Sequence, residues 1–174
     1  MLKNLTIIMF WVLLSCCEGS NEFERFIGQK VVIPFEKMSM ITNDVIDINN
    51  YAYKHIIYID STQCVKCIEN KFALWISFAQ KAKKENPNYQ MFFIVDGEKR
   101  IAEKIKELTY YSDYNPVILY DSLGLVKKNN ENIGNSAVYN SFIIDSEKKV
   151  KLLGDPINGA EIENSMLKFL KKEQ

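Results

Sequence analysis

Residues 55–78 read HIIYIDSTQCVKCIENKFALWISF, and their character changes once along the way. The opening HIIYID is an unbroken run of β-branched and aromatic residues closed by an acid, the pattern of a strand covered on both faces. From Cys64 the spacing shifts: Val65, Ile68, Phe72, Trp75, Ala79 and Ala82 recur at steps of three and four, one face of a helix about five turns long. Lysines in KAKKENP (81–87) meet the negative end of that helix, and Pro87 lies beyond it. At the joint between strand and helix stand two cysteines, Cys64 and Cys67, with Val65 and Lys66 between them.

The flanking sequence repeats the alternation. MFFIV (91–95) is a second buried strand, turned by Asp96-Gly97, and Ile101, Ala102, Ile105 and Leu108 mark a second helix. VILY (117–120) follows Pro116 as a third strand, with a short helix expected over 123–128. FIID (142–145) and VKLL (150–153), separated by SEKK, form a hairpin, and Ile162, Met166, Phe169 and Leu170 make a closing helix. Upstream, KVVIPF (30–35) is a strand candidate that Pro34 confines to an edge, and 41–50 is a turn with room for a strand. The fold class expected is α/β, with a mixed central sheet and helices on both faces.

The chain of 174 residues fits one domain, and its 9 Tyr and 10 Phe argue against disorder. Lysine plus arginine equals aspartate plus glutamate at 22 each, so no overall field favours nucleic acid. Residues 1–15 read as a secretory signal, with Lys3 ahead of the apolar run 5–14. That run is about 10 residues, against the roughly 20 of a membrane-spanning helix. It ends in LLSC (13–16), which resembles a bacterial lipobox and makes Cys16 the expected lipidation site; Cys17 and an uncleaved apolar helix are the competing readings. The expected organisation is signal peptide 1–15, tether 16–25 and domain 26–174. Such a lipoprotein sits in the cell envelope with its domain facing the periplasm, where disulfides persist.

One histidine, four cysteines and no glycine-rich phosphate loop leave little chemistry outside sulfur. A thiol at a helix start meets free N–H groups and the positive end of the dipole, which favour its thiolate. Cys64 is therefore the expected attacking thiol and Cys67 the resolving one, with Lys66 adding positive charge. Zinc would need His55, carboxylates or Cys17 to complete a tetrahedral set. A static bridge is the stronger rival, although a link between residues three apart closes too small a loop to gain much entropy. Asp60, ending the strand before the pair, is either a candidate proton relay to Cys67 or a turn cap. Asp96, Asp121 and Asp145 each follow a strand and read as turn formers. Nothing here calls for a cofactor or a metal.

With those residues in place, 26–174 resembles the thioredoxin-like superfamily, nearest its lipid-anchored TlpA-type thiol-disulfide proteins and their peroxiredoxin relatives. The strand before CVKC, the stretch NPVILYDSLGLVKKN (115–129) and the hairpin SFIIDSEKKVKLLG (141–154) carry the resemblance. It implies a thioredoxin-like fold, redox exchange with protein thiols and disulfides or an upstream reductase, and attachment to a membrane through the lipid. It also implies substrate docking at Val138 and Tyr139, where the family has a cis-proline in place of the tyrosine. A trans bond is expected there, because a non-proline cis bond costs about 2.5–4 kcal/mol. The peroxiredoxin pattern is departed from further, with Ser61 and Ile57 where that group has Thr and Pro. A non-catalytic binding module retaining the disulfide is the alternative from a different class.

Overall fold

The computed structural model of the protein describes residues 25–42 and 46–173. Strands β1 (Ser39–Met40), β2 (Tyr53–Ile59), β3 (Tyr89–Asp96), β4 (Val117–Asp121), β5 (Ser141–Ile144) and β6 (Val150–Leu153) form one sheet in the order β1-β4-β3-β2-β5-β6. Among the described residues the α-helical elements are α1 (Val65–Glu85), α2 (Lys99–Thr109), α3 (Leu125–Asn129) and α4 (Ala160–Lys172), with short 3-10 turns between elements. β2, β3 and β4 run parallel; β1 pairs antiparallel with β4 at one side, and at the other β5 pairs antiparallel with β2 and β6 antiparallel with β5.

Alternation along the strands builds two cores. Ile57 and Ile59 of β2, with Met91, Phe93 and Val95 of β3, face a layer made by α1, α2 and α4. Ile56 and Tyr58, with Phe92 and Ile94, face the opposite layer. Each central strand is thus covered twice, which is why its sequence is apolar without a break. The helices lie on both faces, but unequally. Steps from β2 to β3 to β4 advance in one direction, so right-handed crossovers place α1 and α2 on the same side. The other side has only the short α3, the segment through Ile133 and Tyr139, and the N-terminal stretch from Phe26 to Ile33.

That N-terminal stretch departs from expectation. Residues 30–35 do not form a strand of the sheet; they make one bridge, Lys30 to Lys149, before a 3-10 turn at Phe35–Lys37. Val31 and Ile33 are nonetheless fully packed. The backbone of Val32 finds its partners in a side chain: its N–H donates to Asn130 Oδ1 at 2.9 Å, and its carbonyl accepts from Asn130 Nδ2 at 2.9 Å. An amide side chain takes the place of a neighbouring strand, so burial occurs without a ladder. In 41–50, read as a turn with room for a strand, the described residues hold a 3-10 turn at Ile48–Asn50, and the short strand β1 lies just upstream.

His55, on β2, is fully buried and both ring nitrogens are engaged. Ser141 Oγ donates its single proton to the Gly154 carbonyl at 2.8 Å, so it must accept from His55 Nε2–H at 3.1 Å. His55 Nδ1 then accepts from the Tyr89 hydroxyl at 2.9 Å. Burial pushes the imidazole pKa down to about 3, so the ring is neutral in the fold. The unfolded chain binds a proton on this histidine below about pH 6.5 and the native one does not until about pH 3. Stability therefore rises with pH across that window, by up to about 1.4 kcal/mol per pH unit. Urea unfolding at pH 4 to 7 should give a shallower pH slope for His55→Gln than for the wild-type chain. Equal slopes would show that the imidazole keeps its ordinary pKa in the fold.

Candidate functional site

Residues 60–63 carry the chain from β2 to α1. Asp60 closes the turn: its Oδ1 accepts from the Thr62 backbone N–H at 2.8 Å and from the Thr62 hydroxyl at 2.5 Å, while its carbonyl accepts from Gln63 N–H at 3.2 Å. Cys64 then caps the helix. Its Sγ accepts from Cys67 N–H at 3.1 Å, and its carbonyl accepts from Ile68 N–H at 3.2 Å. The Cys64 sulfur thus occupies the position a serine or aspartate oxygen takes at most helix starts. Cys64 and Cys67 are joined in a disulfide, with Cα atoms 5.3 Å apart.

Both cysteines are exposed, so accessibility alone does not rank them. Position does: Cys64 lies at the open N-terminal end of α1, and Cys67 lies within its first turn. Two grooves meet at Cys64, sharing Thr62, Gln63 and Cys64 in their walls. One, of about 560 Å³, runs along the face of α1 that presents Cys67, Lys71 and Trp75, opposite the loops at 134–137 and 155–158. The other, of about 690 Å³, lies against α2, with Arg100, Glu103 and Lys104 in its wall.

At the far end of the first groove Trp75 Nε1–H donates to Asp155 Oδ1 at 2.8 Å. Burial pushes the Asp155 carboxyl pKa upward, against the pull of the Trp75 and Ile157 N–H groups and the Lys71 ammonium. Behind the cysteines, Tyr58 donates to Asp96 Oδ2 at 2.7 Å, and burial followed by that acidic partner raises the phenol pKa. Asp121, fully buried at the end of β4, accepts from Val126 N–H at 2.8 Å with Oδ2, while its Oδ1 has no partner among the described residues. Among the described residues no three metal-ligating side chains come together.

Solved structures of similar shape place this architecture. No family model matches the chain, and no curated protein matches it. A thiol:disulfide interchange protein, DsbE, of Chlorobium tepidum aligns over 83% of this chain and 97% of its own, at 17% identity and a TM-score of 0.55. The thioredoxin domain of a thiol-disulfide oxidoreductase from Bacteroides vulgatus aligns over the same shares, 83% and 97%, at 14% identity and a TM-score of 0.57.

The fold is thioredoxin-like.

A bacterioferritin comigratory protein of Xanthomonas campestris, described by its alkyl peroxide reduction activity, shares it as well: 9% identity, TM-score 0.51, over 83% of this chain and 99% of that one. In the thioredoxin-like frame a CxxC disulfide at a helix start is consistent with thiol-disulfide redox activity.

The sequence-predicted residues are only partly gathered here. Cys64, Cys67 and Asp60 all line the first groove, but the Asp60 carboxylate is occupied as a turn cap. Val138 and Tyr139, expected to dock substrate, do not line either groove. Val138 is exposed, and Tyr139 is turned into the core that Ile56, Tyr58, Phe92 and Ile94 face, its ring 5.0 Å from Phe26. The groove wall comes from their neighbours Ser136, Ala137, Asn140 and Ser141. Peptide bonds among the described residues are trans, Val138-Tyr139 included. Cys16 lies outside the described residues. Asp145 is a turn former as expected, its Oδ1 accepting from Glu147 N–H and Lys149 N–H at 2.9 Å. Asp96 instead serves Tyr58. Lys71, Trp75 and Asp155 were not singled out as site residues, although Lys71 and Trp75 follow Cys67 by four and eight, the spacing of one helix face.

The loop before Cys64 is held from behind by Gly97, which turns β3 into α2 at φ +105°. A Cβ there would stand 2.6 Å from Ser61 Cβ. Gly97→Ala should cost about 1–3 kcal/mol through left-handed strain and this clash. It should also displace residues 61–63, altering the alkylation rate of reduced Cys64. Unchanged stability and alkylation would show that the two turns do not bear on each other.

Proposed function

We propose that the protein exchanges thiols and disulfides through Cys64 and Cys67, and that it does so from a lipid anchor at Cys16 with residues 26–174 facing the periplasm. The observation that supports this reading most directly is the placement of the disulfide: an exposed bridge whose first sulfur caps a helix at the junction of two grooves. A purely structural staple has no need of that position.

The exchange balances without a cofactor. A substrate thiolate attacks Cys64 Sγ in line with the Cys64–Cys67 bond; a new S–S bond forms, the old one breaks, and its electron pair leaves on Cys67. A second substrate thiolate then attacks the substrate sulfur of the mixed disulfide, and Cys64 departs as a thiolate. Substrate is oxidised and the pair reduced, with two protons released by the substrate thiols and two taken up by the cysteines. The reverse sequence reduces a substrate disulfide, with Cys64 attacking and Cys67 releasing it. In either direction the charge formed on Cys64 sits where the Cys67 N–H already points at its sulfur, and the open helix end stabilises it. Protein thiols and disulfides, or an upstream reductase, are the partners this chemistry takes.

A non-catalytic binding module that retained the bridge is the second reading. It draws on the docking side of the site: Tyr139 is packed into the core instead of edging the groove. Trapping decides between them. A Cys67→Ala variant should accumulate mixed disulfides on Cys64 with envelope proteins, and the wild-type pair should titrate at a potential above about −300 mV. A potential well below that value with no trapped partner would leave the pair an inert bridge.

The anchor has a separate test. Mass spectrometry of the mature protein should find an acyl-modified Cys16 at the N-terminus. A chain still beginning at Met1 would exclude lipoprotein processing.

A further inference from the structure

The first groove holds three charged side chains, Asp60, Lys71 and Asp155. Two of them answer each other: the Lys71 ammonium pulls on the Asp155 carboxylate, whose Oδ1 also accepts from Trp75 Nε1–H and Ile157 N–H. Asp60 is left over. It is only 9% exposed, and both hydrogen bonds to its carboxylate, from the Thr62 N–H and the Thr62 hydroxyl, fall on Oδ1. Among the described residues Oδ2 has no hydrogen-bond donor and Asp60 has no ion-pair partner. The second groove has no cation to spare, since its Arg100 pairs with Glu98 and its Lys104 with Glu69 and Glu107. A carboxylate that has lost most of its water, with donors on one oxygen only, is stabilised by a cation brought to the other.

Resting on the exchange reading above, we propose that Asp60 is a specificity residue, whose free oxygen selects polypeptides carrying a lysine or arginine about two residues from the reacting cysteine. The spacing follows from the turn. Gln63 N–H donates to the Asp60 carbonyl at 3.2 Å, which holds the two Cα atoms within about 7 Å, and Cys64 comes next. An extended chain covers such a span in two residues, at about 3.3 Å each. The rest of the wall suits a chain of that kind, because Gln63, Asn135, Asn140 and Asn158 offer amides to its N–H and C=O groups. Two grooves meeting at Cys64 let the chain continue on the far side of the sulfur.

The test uses the oxidised protein and three single-cysteine peptides that differ only in Lys, Gln or Glu two residues from the cysteine. Each peptide thiol loses its proton to solvent, and its thiolate attacks Cys64 Sγ. A peptide–Cys64 bond forms, the Cys64–Cys67 bond breaks with its electron pair on Cys67, and that thiolate takes a proton from solvent. Mass spectrometry reads the second-order rate, normalised to each peptide's rate with a neutral aliphatic disulfide. The Lys peptide should react about two- to fivefold faster than the Gln peptide, the size of one ion pair, and the Glu peptide slower. Both differences should shrink towards unity at about 0.5 M salt. Asp60→Asn keeps an oxygen for Thr62 and so keeps the turn, and it should bring the Lys-to-Gln ratio to about one. Lys71→Gln leaves Asp155 unanswered as well and should raise the ratio. Equal wild-type rates for the three peptides would overturn the assignment while leaving the exchange reading intact. An Asp60→Asn variant that changes all three rates alike and keeps their ratio would also overturn it, since the carboxylate would then act on the cysteines and not on substrate. So would a lowered ratio in Lys71→Gln. No exchange with any peptide would end both readings.

Discussion

The chain has four residues, 60–63, in which to leave a strand buried on both faces and begin a helix of 21 residues. The Asp60 carboxylate makes that possible by binding Thr62 twice, which turns the backbone and leaves Cys64 as the N-cap of the helix. The side chain and the site depend on the same constraint. A looser turn would start α1 elsewhere, and Cys64 would lose both the Cys67 N–H and the mouth of the grooves. Gly97 presses on the same turn from β3, so two adjacent strand ends jointly fix one sulfur.

Much of this was legible in the sequence because the central strands are covered twice. An apolar run such as MFFIV cannot be placed anywhere but between two layers, and a change of period at Cys64 marks where strand becomes helix. The closing hairpin was legible for a different reason, the polar turn SEKK between two apolar stretches. What stayed hidden depends on contacts between distant residues. Nothing local in VVI says that Asn130, 98 positions away from Val32, will satisfy its backbone. Nothing local in AVYN says that Tyr139 will face Phe26 and not the cysteines, since an aromatic ring fits a core as well as a groove.

The site itself divides in the same way. The pair and its helix start are local features and were read correctly as geometry. The groove is not local: α1 supplies Cys67, Lys71 and Trp75, and the loops after α3 and β6 supply the opposite wall. Asp155 belongs to the site only because the Trp75 indole reaches it across 80 positions. A residue whose role is created by tertiary contact leaves no periodicity to find.

Phe26 is close to the first described residue, and its ring meets Tyr139 at 5.0 Å and Phe142 at 5.8 Å. Tyr139 stands directly behind the groove wall at Ala137 and Asn140. The described segment that leads back towards residue 1 is therefore packed behind the wall of the groove beside Cys64 and Cys67. Any mechanical load arriving along that lead would be borne by an aromatic joint that also backs the wall of the groove.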